Sequence, residues 1–264
     1  MKLIEVNQVG KQYGDNVVLE KLNFTVSAGE FCTMVGTSGC GKTTFLRMLL
    51  GEEQPSQGAI LMDGKPLPAE PGPDRGVVFQ RYSVLPHLTV LGNVMLGPEL
   101  KTGGIFARAF GARRALIRRE AETLLDAVGL SHALNRYPAE LSGGMQQRLA
   151  IAQALIMKPR ILLLDEPFGA LDPGIRADMH ELVLRLWRET GVTVFMVTHD
   201  LKEGFSLGTR LMVFDKIRRD AQAPNAYGAT ITYDLPLKHA DKALQKNIAS
   251  EVAQTSQLLA GAIS

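Results

Sequence analysis

Apolar positions near the start of the chain recur with a two-residue period, first at Ile4 and Val6 beside Leu3, then at Leu22, Phe24 and Val26 after Val17, Val18 and Leu19. That alternation predicts two strands, and Tyr13-Gly14-Asp15-Asn16 between them reads as a turn, so an antiparallel β layer is expected. Phe31-Cys32-Thr33-Met34-Val35 is a short continuous apolar run, and over 43–50 the spacing becomes helical, with the glycine-rich residues 36–41 between the two. The reading there is strand, loop, helix. A stretch rich in proline and glycine over 66–76 precedes a strand at Val77-Val78-Phe79, and Pro86, Gly92, Gly97 and Pro98 punctuate the segment beyond it. Over 112–155 the pattern turns helical, with Ala121, Leu124, Leu125 and Val128 on one face. Ile161-Leu162-Leu163-Leu164 and Val192-Thr193-Val194-Phe195-Met196-Val197 are apolar runs suited to buried parallel strands, and Ile175, Met179, Leu182, Val183 and Leu186 mark an amphipathic helix between them.

Strands alternating with helices predict an α/β core with a mostly parallel sheet, an N-terminal antiparallel β subdomain and an inserted α-helical subdomain. The expected division is a main domain over 1–215, the helical insert over about 86–158, and a C-terminal strand and helical extension over 216–264. No internal repeat interrupts this plan.

Composition narrows the function classes. The chain has 264 residues, 45% hydrophobic and 21% charged, enough for a folded core and unlike a disordered chain. Its 29 basic and 27 acidic side chains leave a net charge of +2, so nothing global draws it to nucleic acid. Two cysteines, Cys32 and Cys40, supply neither a disulfide framework nor a metal-ligand spacing, which favours a reducing compartment. Residues 1–10 carry Lys2, Glu5 and Asn7 where a secretory segment would be apolar, and no run approaches the roughly 18 apolar residues of a membrane span. Any membrane role is expected to run through partners.

Chemistry concentrates in two places. Gly36-Thr37-Ser38-Gly39-Cys40-Gly41-Lys42-Thr43 fits G-x-x-x-x-G-K-[ST] between a strand and a helix, the context that pattern needs to cradle phosphates. Glycines let successive N–H groups turn inward, and the helix N-terminus adds partial positive charge. Lys42 would reach the β and γ phosphates, Thr43 would offer a hydroxyl to Mg²⁺, and Thr44 completes the nucleotide-binding set. Cys40, beside Lys42 and just before a helix, is expected to have a lowered pKa. Asp165 and Glu166 end the apolar strand that starts at Ile161, which suits Asp165 to a Mg²⁺ contact and Glu166 to polarising an attacking water as general base.

Leu141-Ser142-Gly143-Gly144-Met145-Gln146, 23 residues from Ser142 to Asp165, resembles the signature motif of ATP-binding cassette (ABC) ATPases. Tyr13, Gln80, Asp172 and His199 match that family's pattern in order. The resemblance implies MgATP hydrolysis by two cassettes closed head to tail, each ATP lying between one phosphate loop and the partner's signature. It implies that Ser142, Gly143, Gly144 and Gln146 meet the nucleotide across that dimer, that Tyr13 stacks on adenine, and that His199 contacts the γ-phosphate. By the same resemblance Gln80 links metal or water to a coupling surface, as a catalytic and metal-contacting residue, and Asp172 bridges the cassettes. Met145 and Gly169 stand where the family varies.

One cassette without a span resembles the detachable ATPase subunit of a transporter. Pro71-Gly72-Pro73-Asp74-Arg75-Gly76-Val77-Val78-Phe79-Gln80 is similar to the nitrate, sulfonate and taurine importer branch. Lys202-Glu203-Gly204-Phe205, Asp215-Lys216 and Tyr227-Gly228-Ala229-Thr230-Ile231-Thr232-Tyr233 resemble cassettes associated with urea or guanidine utilisation. The implied partners are integral-membrane permease subunits, a second ATPase subunit forming a homodimer and, indirectly, a periplasmic or extracellular solute-binding protein, with no nucleic acid. The implied location is the cytoplasmic face of the inner membrane, as a peripheral protein. The alternatives are a non-transport cassette ATPase acting on DNA or ribosomes, and a P-loop kinase or GTPase that the signature and His199 argue against. Six basic residues and no acidic one over 101–119 read as a solvated face or a phospholipid contact.

Overall fold

Side chains alternate inward and outward over Ile4–Val6 and Leu22–Val26 of the opening hairpin, where β1 (Lys2–Tyr13) and β2 (Asn16–Ser27) pair antiparallel across the two-residue turn Gly14-Asp15, with the register shifted between Val6 and Val9. Ile4, Val6 and Val9 are buried from one strand, and Leu22, Phe24 and Val26 from the other. The structure is a computed structural model that describes residues 1–80, 83–103, 111–218, 220, 222–223 and 225–237. Every residue of β3 (Phe31–Gly36) is buried, and the glycine-rich loop after it runs into α1 (Lys42–Leu50). Gly51 stops that helix with φ 92°, a left-handed conformation that returns its N–H to the Arg47 and Met48 carbonyls. β4 (Gln57–Met62) and β5 (Lys65–Pro66), which periodicity did not disclose, complete a four-stranded sheet in the order β2-β1-β4-β5.

The chain divides into two compact units, Met1–Gly72 with Gly191–Ser264, and Pro73–Thr190. The second unit contains β6 (Arg75–Val78), α2 (Val90–Gly103), α3 (Gly111–Ala127), α4 (Gly143–Leu155), β7 (Ile161–Asp165) and α5 (Pro173–Thr190). β6 and β7 pair in parallel, with Val78 opposite Leu164.

Gly92, Gly97 and Pro98, which punctuate the sequence, all lie within α2, inside the expected helical insert. Pro98 deprives that helix of a backbone donor and Gly92 and Gly97 weaken it, yet burial prevails. Val90, Asn93 and Val94 are fully buried, and the Asn93 side-chain amide donates to the carbonyls of Leu85 (3.1 Å), Leu88 (3.1 Å) and Thr89 (3.0 Å). Asn93 also accepts from the Leu85 N–H at 2.7 Å, so one side chain satisfies the turn that starts α2.

The remainder of the first unit is β8 (Thr193–Val197), α6 (Leu201–Leu207), β9 (Arg210–Asp215) and β10 (Thr230–Pro236). β3 pairs in parallel with both β8 and β9, Met34 standing opposite Val197 and Met212, while β10 closes antiparallel on β9. The class is therefore a mixed α/β fold with parallel and antiparallel sheets, as the patterning predicts. Arg108 of the basic segment and residues 238–264 of the expected extension lie outside the described residues.

Phe45 of α1 joins the layers of the first unit. Its ring lies 5.6 Å from Phe24 on β2, 6.5 Å from Phe195 on β8 and 6.0 Å from Phe214 on β9, centroid to centroid. The helix after the glycine-rich loop is thus pinned to both sheets by one fully buried aromatic. Phe45→Ala should cost about 3–5 kcal/mol, read as a lower urea midpoint for unfolding; a midpoint equal to the parent's would show that this ring does not anchor α1.

Candidate functional site

The loop after β3 is shaped by what surrounds its two outer glycines. A Cβ at Gly36 would lie 2.2 Å from the Phe214 carbonyl oxygen, a clash with backbone that no side chain can relieve. Gly41 has φ 93°, and a Cβ there would meet Leu19 at 2.7 Å. Between them the Cys40 N–H closes a turn on the Thr37 carbonyl at 3.3 Å.

Lys42 is only 6% exposed, and its ammonium folds back across the loop to donate to the carbonyls of Gly36 (2.8 Å) and Thr37 (2.9 Å). α1 carries no side-chain N-cap and no acidic residue in its first turn. Such a start suits an anion. The expectation for Cys40 is corrected: burial raises the thiol's pKa, and the opposing pull of Lys42, 3.5 Å away, does not reverse it.

Tyr13 is brought to the same helix. Its ring is 47% exposed, its hydroxyl donates to Glu53, the Lys11 ammonium lies 4.9 Å from the ring centroid, and the Thr44 side chain hydrogen-bonds the phenol. His199 is exposed and lies just after β8. Because the Thr198 N–H donates to the Met34 carbonyl at 3.1 Å, His199 and the glycine-rich loop leave the carboxyl ends of adjacent parallel strands. On one side of His199 the Thr198 hydroxyl donates to buried Glu203. On the other, Asp200 caps α6 by accepting from the N–H groups of Lys202 (2.8 Å) and Glu203 (3.3 Å).

The other candidate residues belong to the second unit. Gln80 and Glu166 each stand two residues beyond the paired Val78 and Leu164, so they and Asp165 gather at one carboxyl edge of β6 and β7. Glu166 has φ 46°, a left-handed conformation unusual outside glycine and frequent where function sets the backbone.

Ser142 is the N-cap of α4, its hydroxyl accepting from the Met145 N–H at 3.4 Å. A Cβ at Gly144 would lie 2.7 Å from Ile175 Cγ2, so the start of α4 packs on the first turn of α5, three residues past exposed Asp172. Gln146 lies in the first turn of α4. Its side-chain amide donates to the carbonyls of Pro138 (3.0 Å) and Leu141 (3.3 Å), holding the turn before Ser142.

Two polar residues to which sequence reasoning gave no role hold neighbours of candidate residues in place, Glu53 under Tyr13 and Glu203 beside Thr198. Their one sequence signal is polarity within otherwise apolar or helical stretches.

Known proteins resemble this chain over most of its length. The family described as ABC transporter matches residues 19–169, more than half of the chain. The nitrate import ATP-binding protein NrtC of Synechococcus elongatus is 44% identical over 200 residues, covering 76% of this chain and 29% of its own length. The aliphatic sulfonates import ATP-binding protein SsuB of Yersinia pestis is 40% identical over 233 residues, covering 88% of this chain and 77% of its own. The chain therefore spans less than a third of the length of the nitrate relative. Among solved structures, the ATP-binding cassette MJ0796, a dimer in a post-hydrolysis state bound to ADP and Pi, superposes with a TM-score of 0.71 at 29% identity, over 89% of this chain and 99% of that one. With the glycine-rich loop, the turn capped by Ser142 and the strand ending at Asp165 all inside the matched span, the chain belongs to the ABC transporter family.

Proposed function

We propose that the chain is the ATP-hydrolysing motor subunit of an importer, which binds MgATP between two head-to-tail copies and drives uptake of a small solute through a separate permease. The observation that carries this reading is the buried Lys42 folded over a glycine-rich loop at the uncapped start of α1. That arrangement supplies fixed N–H donors and a cation to a polyphosphate.

In this reading Lys42 and the loop residues Gly36, Thr37, Ser38, Gly39, Cys40 and Gly41, with Thr43 and Thr44, receive the phosphates, and Tyr13 stacks on adenine. Thr43, Asp165 and Gln80 would hold Mg²⁺, which when bound neutralises developing phosphate charge. A hydroxyl, a carboxylate and an amide oxygen are hard donors. Among the described residues no group of three or more His, Cys, Asp or Glu is gathered to hold a metal.

Glu166 takes the proton of the attacking water. His199, steadied by anchored residues on both sides, holds the γ-phosphate. Ser142, Gly143 and Gly144 offer the N-terminus of α4 to the nucleotide of the second copy, with Gln146 holding that turn, and Asp172 bridges the two copies.

The relatives that import nitrate and sulfonates support the importer reading, and the near-neutral charge gives no support to a nucleic-acid partner. No helix among the described residues is long and apolar enough to cross a membrane. In this reading permease subunits carry the solute, and a solute-binding protein delivers it to them. The subunit would sit peripherally on the cytoplasmic face of the inner membrane, with the helical insert over about 86–158 facing the permease.

Two outcomes test the reading. Glu166→Gln should bind MgATP like the parent, lose on the order of 10²-fold or more in turnover, and accumulate as an ATP-locked dimer in size-exclusion chromatography. Near-parental turnover with the permease would remove Glu166 from the base role. A raised thiol pKa leaves less thiolate at neutral pH, so iodoacetamide should modify Cys40 at least ~10-fold more slowly than free glutathione, and more slowly still with MgATP; modification at the glutathione rate that ignores MgATP would separate Cys40 from the phosphate loop's environment.

A further inference from the structure

Tyr13 presents a half-exposed ring at the end of a strand, a position at which an aromatic side chain ordinarily samples several orientations. Here it does not stand alone. Glu53 accepts from the Tyr13 hydroxyl and, on the same oxygen, from the Lys11 ammonium at 3.2 Å, while its other oxygen lies 3.7 Å from the Arg47 guanidinium. The Glu53 side chain is 18% exposed and that of Lys11 13%.

The backbone explains how the carboxylate arrives there. After the left-handed Gly51, the N–H groups of Glu52 and Glu53 both turn back to the Arg47 carbonyl, at 3.0 and 3.4 Å, so Glu53 is delivered by the C-terminal end of α1. The N-terminal end of that helix is the phosphate loop. The tip of β1 is tied to the same stretch by further bonds: the Lys11 ammonium donates to the Gln54 carbonyl at 2.8 Å, the Gln12 N–H to the Ser56 hydroxyl at 3.1 Å, and the Ser56 N–H to the Gly10 carbonyl at 2.8 Å. The ring's distance from the phosphate loop is therefore set by a single rigid helix, one end of which makes the loop and the other end of which grips the phenol.

We propose that Glu53 is a positioning residue that fixes the tilt of the Tyr13 ring relative to the phosphate loop, and so sets how tightly the site holds the base of its nucleotide. The proposal rests on the reading of Tyr13 as the base-stacking residue. Its charge balance supports it. Burial pulls the Glu53 carboxyl up, but the bonds from Tyr13 and Lys11 and the charge of Arg47 outweigh that pull and hold it below the usual carboxylate range. Burial and Glu53 together push the Tyr13 phenol up, so the shared proton stays on the phenol at neutral pH.

The test uses the full chain and two probes, MgATP and magnesium tripolyphosphate, each competed against a ribose-labelled fluorescent ATP. Glu53→Ala should weaken MgATP about 5-fold, the worth of one hydrogen bond, and leave tripolyphosphate, which has no base, unchanged. Tyr13→Phe, which keeps the ring and removes the bond, should do the same. Glu53→Gln, whose amide oxygen still accepts from the phenol, should recover most of the affinity, and Glu53→Ala should cost nothing further once Tyr13 is Ala. Equal loss for MgATP and tripolyphosphate would assign Glu53 to the shape of α1 and overturn the proposal. So would an unchanged cost of Glu53→Ala in the Tyr13→Ala background. If Tyr13→Ala itself left MgATP affinity at the parental value, the base-stacking reading would fall and the proposal with it.

Discussion

The loop after β3 turns more tightly than side chains allow, and this constraint organises the first unit. The turn runs between the end of β3 and the start of α1, with the Phe214 carbonyl crowding Gly36 and Leu19 crowding Gly41. Neither position tolerates a Cβ. Within the turn the Lys42 ammonium is almost fully buried, which is tolerable because two loop carbonyls accept from it at 2.8 and 2.9 Å. Those bonds hold the loop closed around its own cation. Phe45, one turn along, then fixes the helix to both sheets, so the loop's geometry is inherited by everything α1 touches.

The second unit uses similar devices for different ends. Glu166 is held in a left-handed conformation that costs an ordinary residue of order 1–3 kcal/mol, at the strand edge it shares with Asp165 and Gln80. Ser142 caps α4, and Gln146 spends its amide on the preceding turn, so the helix start is organised before any ligand meets it. Preorganised donors of this kind contribute most where charge develops during phosphoryl transfer. Asn93 does comparable work for the start of α2, with all its amide bonds directed at the turn from Leu85 to Thr89.

Much of this was legible in the sequence because the responsible forces act over short spans. Alternation in the first hairpin, the apolar runs at Phe31, Ile161 and Thr193, and the glycine pattern before Lys42 are local consequences of pleat, burial and turn sterics, and each appears where the spacing predicts. α2 lies inside the expected helical insert, yet its own residues do not announce it. Gly92, Gly97 and Pro98 argue locally against a helix, and only the tertiary burial of Val90, Asn93 and Val94 overrides them. Proximity to Lys42 suggests a reactive Cys40, but burial, which no spacing reveals, moves its thiol the other way. Glu53 stands 40 residues from Tyr13, so no local pattern could join them.

The central claim is that the loop closed by Lys42 is a polyphosphate site, and calorimetric titration of MgATP into the parent and the Lys42→Ala chain tests it most directly. Removing a buried ammonium that donates charge-assisted hydrogen bonds should reduce affinity on the order of 10²-fold, while circular dichroism stays that of the parent. Equal affinities in the two chains would contradict the account, because they would mean that the nucleotide binds somewhere other than the loop around which the first unit is built.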